Sequence, residues 1–588
     1  MAFTTSMSGR RWPVFLAGIG HAQKIFTAEY SNSAQKVYDD DDPVEQPAAD
    51  AAAGNGVLVL KTHCEYPTIP NGAEHEGFVV MVTVKAPALV AGDSGRAPVD
   101  LVVVLDAGAS MAAGAKLEQV KRAMAFVIDS LGPRDRLSAV AFDPDEARQV
   151  LPLTRMSEDS KAAAKRGVES LNAAAGTGTA NVRGGLDEAA KVLDGNQYAA
   201  VILLTDGQGY DMTSDDHSGH VPPFFTRTYQ RTPVHTFMLS SDGNGEQAAA
   251  AMYHISEATG GTFTFVEDHA IIQDAFARCV GGLRSLAAEG VWIDADCQYP
   301  GVTIRAVKSG RHESRVEEFY EQVTVNVGDL YADEERRFLF LFDVDSAHDA
   351  KDTATHLMKL SCNYGDKATH RIVDVYNQGP WVRRPLEAGN AAPDMEVKQE
   401  LLRVAAAEDM ALARAAAERG AYAEAVRILD ARRELLTRSS APGMAGDAVC
   451  KALVAELREL SVRVADEQEY KLTGRACVLA AMSAHAQQRG WSVPLFSRRP
   501  VSSSGLEVGC SGSAMFATPE MRKMEKLSEM LRKRQQQLAA PVPPPLLALP
   551  QKNGSKVVAR SRLEARLAAA APHLSMLRRY RSLLPLKR

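Results

Sequence analysis

Apolar runs and amphipathic segments alternate along the chain between residues 99 and 286. Runs rich in Val, Ile and Leu, such as VDLVVVLD at 99–106 and YAAVILLTDG at 198–207, are typical of strands buried on both faces of a sheet. Segments such as KLEQVKRAMAFVIDSL at 116–131 place apolar residues at helical spacing. This alternation predicts an α/β domain with a parallel, doubly wound sheet over 99–286.

The apolar period changes to two between residues 287 and 385. Short alternating segments with turn residues between them are typical of an antiparallel β-sandwich. Two further strands are predicted within residues 56–98, and no helix separates them. We expect these strands to join the sandwich, so the α/β domain is either inserted in the β-sandwich or followed by it.

A helical region is predicted over residues 392–490, with a break at Gly420. Residues 1–55 contain an acidic run and many small residues, which predicts a disordered N-terminus. Residues 491–588 read as a largely disordered tail with one charged helix near 519–538. The tail ends in a basic segment that is expected to contact acidic surfaces.

Composition narrows the class of protein. The formal net charge of -6 over 588 residues gives no global field for nucleic acid. The seven cysteines are scattered and form no CxxC pair, which favours a reducing, cytoplasmic compartment. No apolar run is long enough to span a membrane. The first 28 residues lack Asp and Glu, so an N-terminal targeting peptide stays open as an alternative.

Candidate chemistry lies where two predicted strands end. Asp106 closes the strand at 99–106, and Asp206 follows the strand at 198–205. Ligands of doubly wound sheets bind at the carboxyl ends of the strands, and carboxylate and hydroxyl oxygens suit Mg²⁺. Alternatively, the two aspartates cap their loops by accepting hydrogen bonds from backbone N–H groups.

These residues resemble the metal-ion-dependent adhesion site of von Willebrand factor type A (VWA) domains. That site reads Asp-x-Ser-x-Ser on a first loop, with Thr on a second loop and Asp on a third. Here the first loop supplies Asp106 and Ser110, while Gly108 replaces the first serine. The third loop supplies Asp206. The second loop offers Thr179, although Thr177 is a further candidate and an ungapped reading places Ala180 there. The resemblance implies a degenerate site, with Mg²⁺ as a possible cofactor.

The wider chain resembles plant VWA proteins, some of which carry a RING finger and look like ubiquitin ligases. The first 100 residues here contain only Cys64 and no cysteine–histidine zinc set, so ligase activity is not expected from this chain. We expect a non-catalytic protein that binds partner proteins at the VWA loop face. The alternative is a RING-less substrate adaptor of the ubiquitin pathway.

Other segments carry weaker chemical candidates. Asp143, Asp145 and Glu146 resemble a cation site, but a solvated turn after a strand is the favoured interpretation. The chain contains no HExxH, GxSxG or P-loop motif.

Overall fold

The computed structural model describes most of the chain between residues 56 and 539. The described residues are 56–89, 96–174, 181–193, 199–208, 217–226, 232–240, 246–297, 299–312, 314–316, 321–346, 353–387, 389, 391–438, 447–489 and 515–539. The disordered N-terminus predicted for 1–55 and the basic tail beyond 539 lie outside these residues.

A six-stranded sheet forms the centre of the α/β domain, with the order β5-β4-β3-β6-β7-β8. Its strands are β3 (Asp100–Asp106), β4 (Arg136–Phe142), β5 (Ala147–Arg155), β6 (Ala199–Thr205), β7 (Val234–Leu239) and β8 (Phe263–Val266). Every residue of β3 and β4 is buried, as expected of strands covered on both faces.

One strand of this sheet, β5, was not among the predicted strands. β5 pairs antiparallel with β4 and has no other neighbour, so the sheet is mixed. Its sequence contains Pro152, which has no backbone N–H and is therefore tolerated on an edge strand.

Helices cover both faces of the sheet, which confirms the doubly wound class. They are α1 (Lys116–Ser130), α2 (Glu158–Glu169), α3 (Val182–Val192), α4 (Glu246–Thr259) and α5 (Ile272–Leu283). The N-cap of α2 is Ser157, whose hydroxyl accepts a hydrogen bond from the N–H of Ser160. Alternate residues of β3 point to opposite cores: Val102 and Val104 contribute to one, and Leu101 and Val103 to the other.

Two antiparallel sheets form the second layered unit, around a separate core. One has the order β1-β2-β13-β10, the second β11-β12-β9-β15-β16, and β14 pairs with β17 alone. The strands are β1 (Val59–Cys64), β2 (His75–Lys85), β9 (Leu286–Asp296), β10 (Val302–Lys308), β11 (Ser314–Val316), β12 (Gln322–Tyr331), β13 (Glu335–Val344), β14 (Ala354–His356), β15 (Lys359–Asp366), β16 (Arg371–Asn377) and β17 (Trp381–Arg383). β2 precedes the α/β domain and pairs with β13, which follows it. The α/β domain is thus inserted between strands of one antiparallel sheet.

Helices follow the last strand. They are α6 (Met395–Glu418), α7 (Tyr422–Arg438), α8 (Ala448–Arg463), α9 (Arg475–Gln487) and α10 (Pro519–Ala539). Gly420 separates α6 from α7 and has a φ of 77°, a conformation that favours glycine at a helix end. Ser483 on α9 accepts a hydrogen bond from the N–H of Phe263, which places α9 against β8. No helix within the described residues combines the length and apolar character needed to cross a bilayer.

Candidate functional site

The two candidate aspartates lie on neighbouring strands at the point where the strand order reverses. β3 and β6 are adjacent and parallel, with β4 on the far side of β3 and β7 on the far side of β6. Loops that leave two such strands diverge and open a crevice at the carboxyl edge. Asp106 ends β3 and Asp206 directly follows β6, so the topology brings them to one crevice.

Both carboxylate oxygens of Asp106 accept hydrogen bonds from the loops. Oδ1 accepts from the N–H of Gly108 at 2.8 Å, and Oδ2 accepts from the Thr205 hydroxyl at 2.6 Å. Asp106 is only 1% exposed. Burial raises the pKa of Asp106 to about 6, against the opposing effect of the hydrogen bonds from Thr205 and Gly108.

Asp206 is fully buried and accepts from three donors. The Ser110 hydroxyl and the N–H of Gln208 donate to Oδ1, each at 3.0 Å. The Lys116 ammonium donates to Oδ2 at 2.8 Å. The Lys116 side chain is 7% exposed, so this is a buried ion pair. The site thus contains a resident cation, which the sequence prediction did not include.

The backbone before α1 directs Lys116 into the crevice. Gly114 and Ala115 have φ values of 62° and 57°, so two successive residues in the left-handed region turn the chain into the helix. Lys116 is the first residue of α1 and shares its buried face with Val120 and Met124. A lysine in register with an apolar helix face was therefore the available signal for this contact.

An exposed stretch of small residues lies between Met111 and Lys116. Residues 112–115 read Ala-Ala-Gly-Ala and are all exposed, whereas Met111 and Lys116 on either side are buried. We call these four residues the small-residue lip. The N–H of Ala174 donates to the carbonyl of Ala107 at 2.7 Å, which ties the segment after α2 to the start of the first loop.

The structure therefore brings together three of the predicted site residues, Asp106, Ser110 and Asp206. Thr179, and with it the alternatives Thr177 and Ala180, lies outside the described residues. Both aspartates accept backbone N–H groups within their own loops, which is the capping geometry of the alternative prediction.

Gly108 supplies no oxygen at the position where a metal ligand was sought. A Cβ at this residue would lie 3.0 Å from Asp106 Oδ1 and 3.9 Å from Ser110 Oγ, so a side chain here would point into the crevice. Within the described residues, no group of three or more His, Cys, Asp or Glu side chains could hold a metal ion.

The acidic segment after β4 forms a turn. Asp143 Oδ1 accepts from the N–H groups of Asp145 and Glu146, at 2.9 and 3.0 Å. Arg148 forms an exposed ion pair with Glu146. These contacts account for the acidic residues as a solvated turn.

Comparisons with known proteins agree with this architecture. Residues 101–208 match the family model for the von Willebrand factor type A domain, and residues 447–528 match a model described as VWA / Hh protein intein-like. Among solved structures, a von Willebrand factor type A protein from Catenulispora acidiphila matches with a TM-score of 0.52 at 17% identity, over 72% of this chain and 96% of that chain.

Curated relatives include two Arabidopsis thaliana proteins. E3 ubiquitin-protein ligase WAV3 is 31% identical over 431 residues, which cover 68% of this chain and 52% of the relative. E3 ubiquitin-protein ligase WAVH1 is 26% identical over 427 residues, which cover 68% of this chain and 54% of the relative. The chain thus spans about half the length of these curated relatives.

Proposed function

Since the chain is a von Willebrand factor type A domain protein, we propose that it is a non-catalytic protein-binding module. Its docking surface is the small-residue lip at 112–115 and the adjoining Ser110. The observation that carries the proposal is that these exposed residues lie between Ser110 and Lys116, which both donate to Asp206, while every oxygen of Asp106 and Asp206 is hydrogen-bonded within the protein. A partner would recognise such a surface by its shape, because the charged groups of the site stay paired within the protein.

The geometry supports docking over chemistry for two reasons. Asp106 and Asp206 are 1% and 0% exposed, and each serves as an acceptor for its own loops. The lip has no long side chains, so a partner backbone can approach closely without losing side-chain entropy at the contact. The hydrogen bonds of Ala107 with Ala174 and of Ser110 with Asp206 anchor the loop that leads into the lip, which reduces the ordering required on binding.

The test places a bulky charge on the lip. Ala113 has φ −68° and ψ 139°, which an arginine adopts without strain, so A113R should leave the fold intact. The matched control is A162R at an exposed position of α2. Affinity purification from plant cells should recover partners with wild type and A162R that A113R loses. If A113R retains every partner, this face is not the docking surface.

A second candidate function is substrate capture in the ubiquitin pathway. The similarity to the two Arabidopsis proteins covers about two thirds of this chain, well beyond the α/β domain alone. As an adaptor, the protein would present its bound partner to a ligase. Ubiquitination assays with purified components should show partner modification when WAV3 is added, and none with this chain alone. Autonomous ligation by this chain would overturn the non-catalytic proposal.

A further inference from the structure

The crevice beneath the lip contains a charged group that the adhesion-site pattern does not include. The Lys116 ammonium lies 2.8 Å from Asp206 Oδ2, and the aspartate is fully buried. The left-handed turn at Gly114 and Ala115 directs the lysine inwards at the start of α1. The ion pair is therefore built into the loop that carries Ser110.

An ammonium at this position conflicts electrostatically with a divalent cation. A metal ion bonded to Asp206 Oδ2 would lie about 2.1 Å from it, which places the ion no more than about 5 Å from the Lys116 nitrogen. Two positive groups at this separation in a buried crevice repel strongly, because the effective dielectric constant is far below that of water. The two aspartates together carry at most two negative charges, and Lys116 already balances one.

The remaining ligands do not offset this conflict. Asp206 Oδ1 already accepts from Ser110 and Gln208, and both oxygens of Asp106 are engaged. Gly108 supplies no oxygen, although its Cβ direction points towards Asp106. The described residues therefore do not fit a divalent ion.

We propose that Lys116 is the resident cation of this site, and that the docking face operates without a divalent metal ion. The ammonium neutralises Asp206 and holds the Ser110 loop against β6 through the shared carboxylate. The absence of a divalent ion follows from the contacts within the crevice. The statement about docking rests on the function proposed above.

The test is a titration of Mn²⁺ into the full chain. Binding is measured by calorimetry and by the decrease of the electron paramagnetic resonance signal of the free ion. Four proteins are compared: wild type, G108S, K116M and the double variant G108S/K116M. Wild type should not bind Mn²⁺. The double variant should bind one ion, about tenfold or more tightly than G108S, because it supplies a hydroxyl and lacks the competing ammonium. Stoichiometric binding to wild type that D206N abolishes would overturn the proposal.

Two further measurements guard against a folding defect. K116R keeps the positive charge, so G108S/K116R should fold and bind Mn²⁺ no more tightly than G108S does. In thermal unfolding, Mn²⁺ should raise the melting temperature of G108S/K116M and leave that of wild type unchanged. If K116M and its double variant fail to fold, the wild-type titration still decides the central claim.

The experiment separates this inference from the proposed function. The titrations need no partner, so a metal-silent wild type that captures no protein would refute only the docking function. A partner that A113R loses, and that EDTA also releases from wild type, would support the docking function and refute the role of Lys116.

Discussion

Arg489 provides a sharp test of what joins the helical region to the β-sandwich. Its guanidinium donates to both carboxylate oxygens of Glu334, at 2.8 and 2.6 Å, and also to the carbonyl of Asp329 at 2.8 Å. The guanidinium carbon lies 3.7 Å from the centroid of the Tyr331 ring. The side chains of Arg489 and Glu334 are 6% and 2% exposed, so solvent screens their attraction weakly.

The loss of stability expected for R489M depends on the contacts that remain to Glu334. Breaking a buried, hydrogen-bonded ion pair costs about 3–5 kcal/mol, because the remaining charge stays buried. Glu334 would keep a second cation, Arg336, whose Nη2 lies 3.3 Å away, together with the N–H of Tyr331. This places the loss near the lower end of that range. The stacking on Tyr331 is also lost, so we expect R489M to reduce the free energy of unfolding by about 3–4 kcal/mol.

The assay is urea unfolding, followed by the fluorescence of Trp292 and Trp381, which lie on β9 and β17. The matched variant R489K keeps the charge but loses the planar pair of donors, so its loss should be about half that of R489M. A loss below about 1 kcal/mol for R489M would match an exposed ion pair, and would refute the assignment of this contact as a main tie between the two regions.

The pH dependence gives an independent check. Burial alone would raise the pKa of Glu334, but the guanidinium of Arg489, and then that of Arg336, holds it below its usual value of 4.5. A carboxyl whose folded pKa is lowered stabilises the protein above its unfolded pKa and loses that contribution as the pH falls. The difference in the free energy of unfolding between wild type and R489M should therefore be largest near neutral pH and shrink as the pH falls towards and below 4.5.

Three further predictions follow from buried groups. Burial, with a smaller effect of Arg489, lowers the pKa of His235 from 6.5 to about 3. The free energy of unfolding of wild type should therefore fall by about 1.4 kcal/mol per pH unit as the pH drops below 6.5, because the unfolded state takes up a proton that the folded state does not. Urea midpoints should show this fall for wild type and not for H235Q. A Cβ at Gly185 would lie 2.9 Å from side-chain carbons of β3 and β4, whereas a Cβ at Gly219 would meet no atom within 4 Å. In the same assay G185A should lower the free energy of unfolding by about 1–2 kcal/mol, and G219A should leave it almost unchanged. Equal losses for the two variants would contradict the packing argument. Cys477 is 2% exposed, and burial raises the pKa of its thiol to about 12. It should therefore react with a thiol reagent only in denaturant, as mass spectrometry of labelled peptides can show; rapid labelling of the native protein would contradict this burial.

The fold class could be predicted because burial leaves a strong pattern in the chain. β3 is apolar between its two terminal aspartates and β6 is apolar up to Thr205, since both faces of the sheet are covered. α1 shows helical spacing since only one of its faces is covered. β5 escaped prediction for the converse reason. It lies at the sheet edge, its burial is partial, and Pro152 interrupts its strand pattern.

The location of the site was predictable for a topological reason, whereas its content was not. Any carboxylate at the end of β3 must lie near one at the end of β6, because the two strands are neighbours at the switch point. Lys116 left a partial signal, because it is in register with Val120 and Met124 on the buried face of α1. The left-handed turn at Gly114 and Ala115 that directs it into the crevice leaves no periodic trace in a sequence.

Gly108 and Lys116 both disfavour a divalent ion. The first supplies no oxygen ligand, and the second supplies a positive charge. With a hydroxyl at residue 108 and no lysine at 116, the crevice would concentrate negative charge and oxygen ligands, which is the environment a divalent ion requires. Here one hydroxyl is missing and one positive charge is already paired with Asp206. Each change lowers the affinity for a cation, and the second also removes the need for one, because Asp206 is compensated. The double variant G108S/K116M should therefore bind Mn²⁺ more tightly than either single variant, and an affinity no higher than that of G108S would show that the Lys116 ammonium does not compete with the ion.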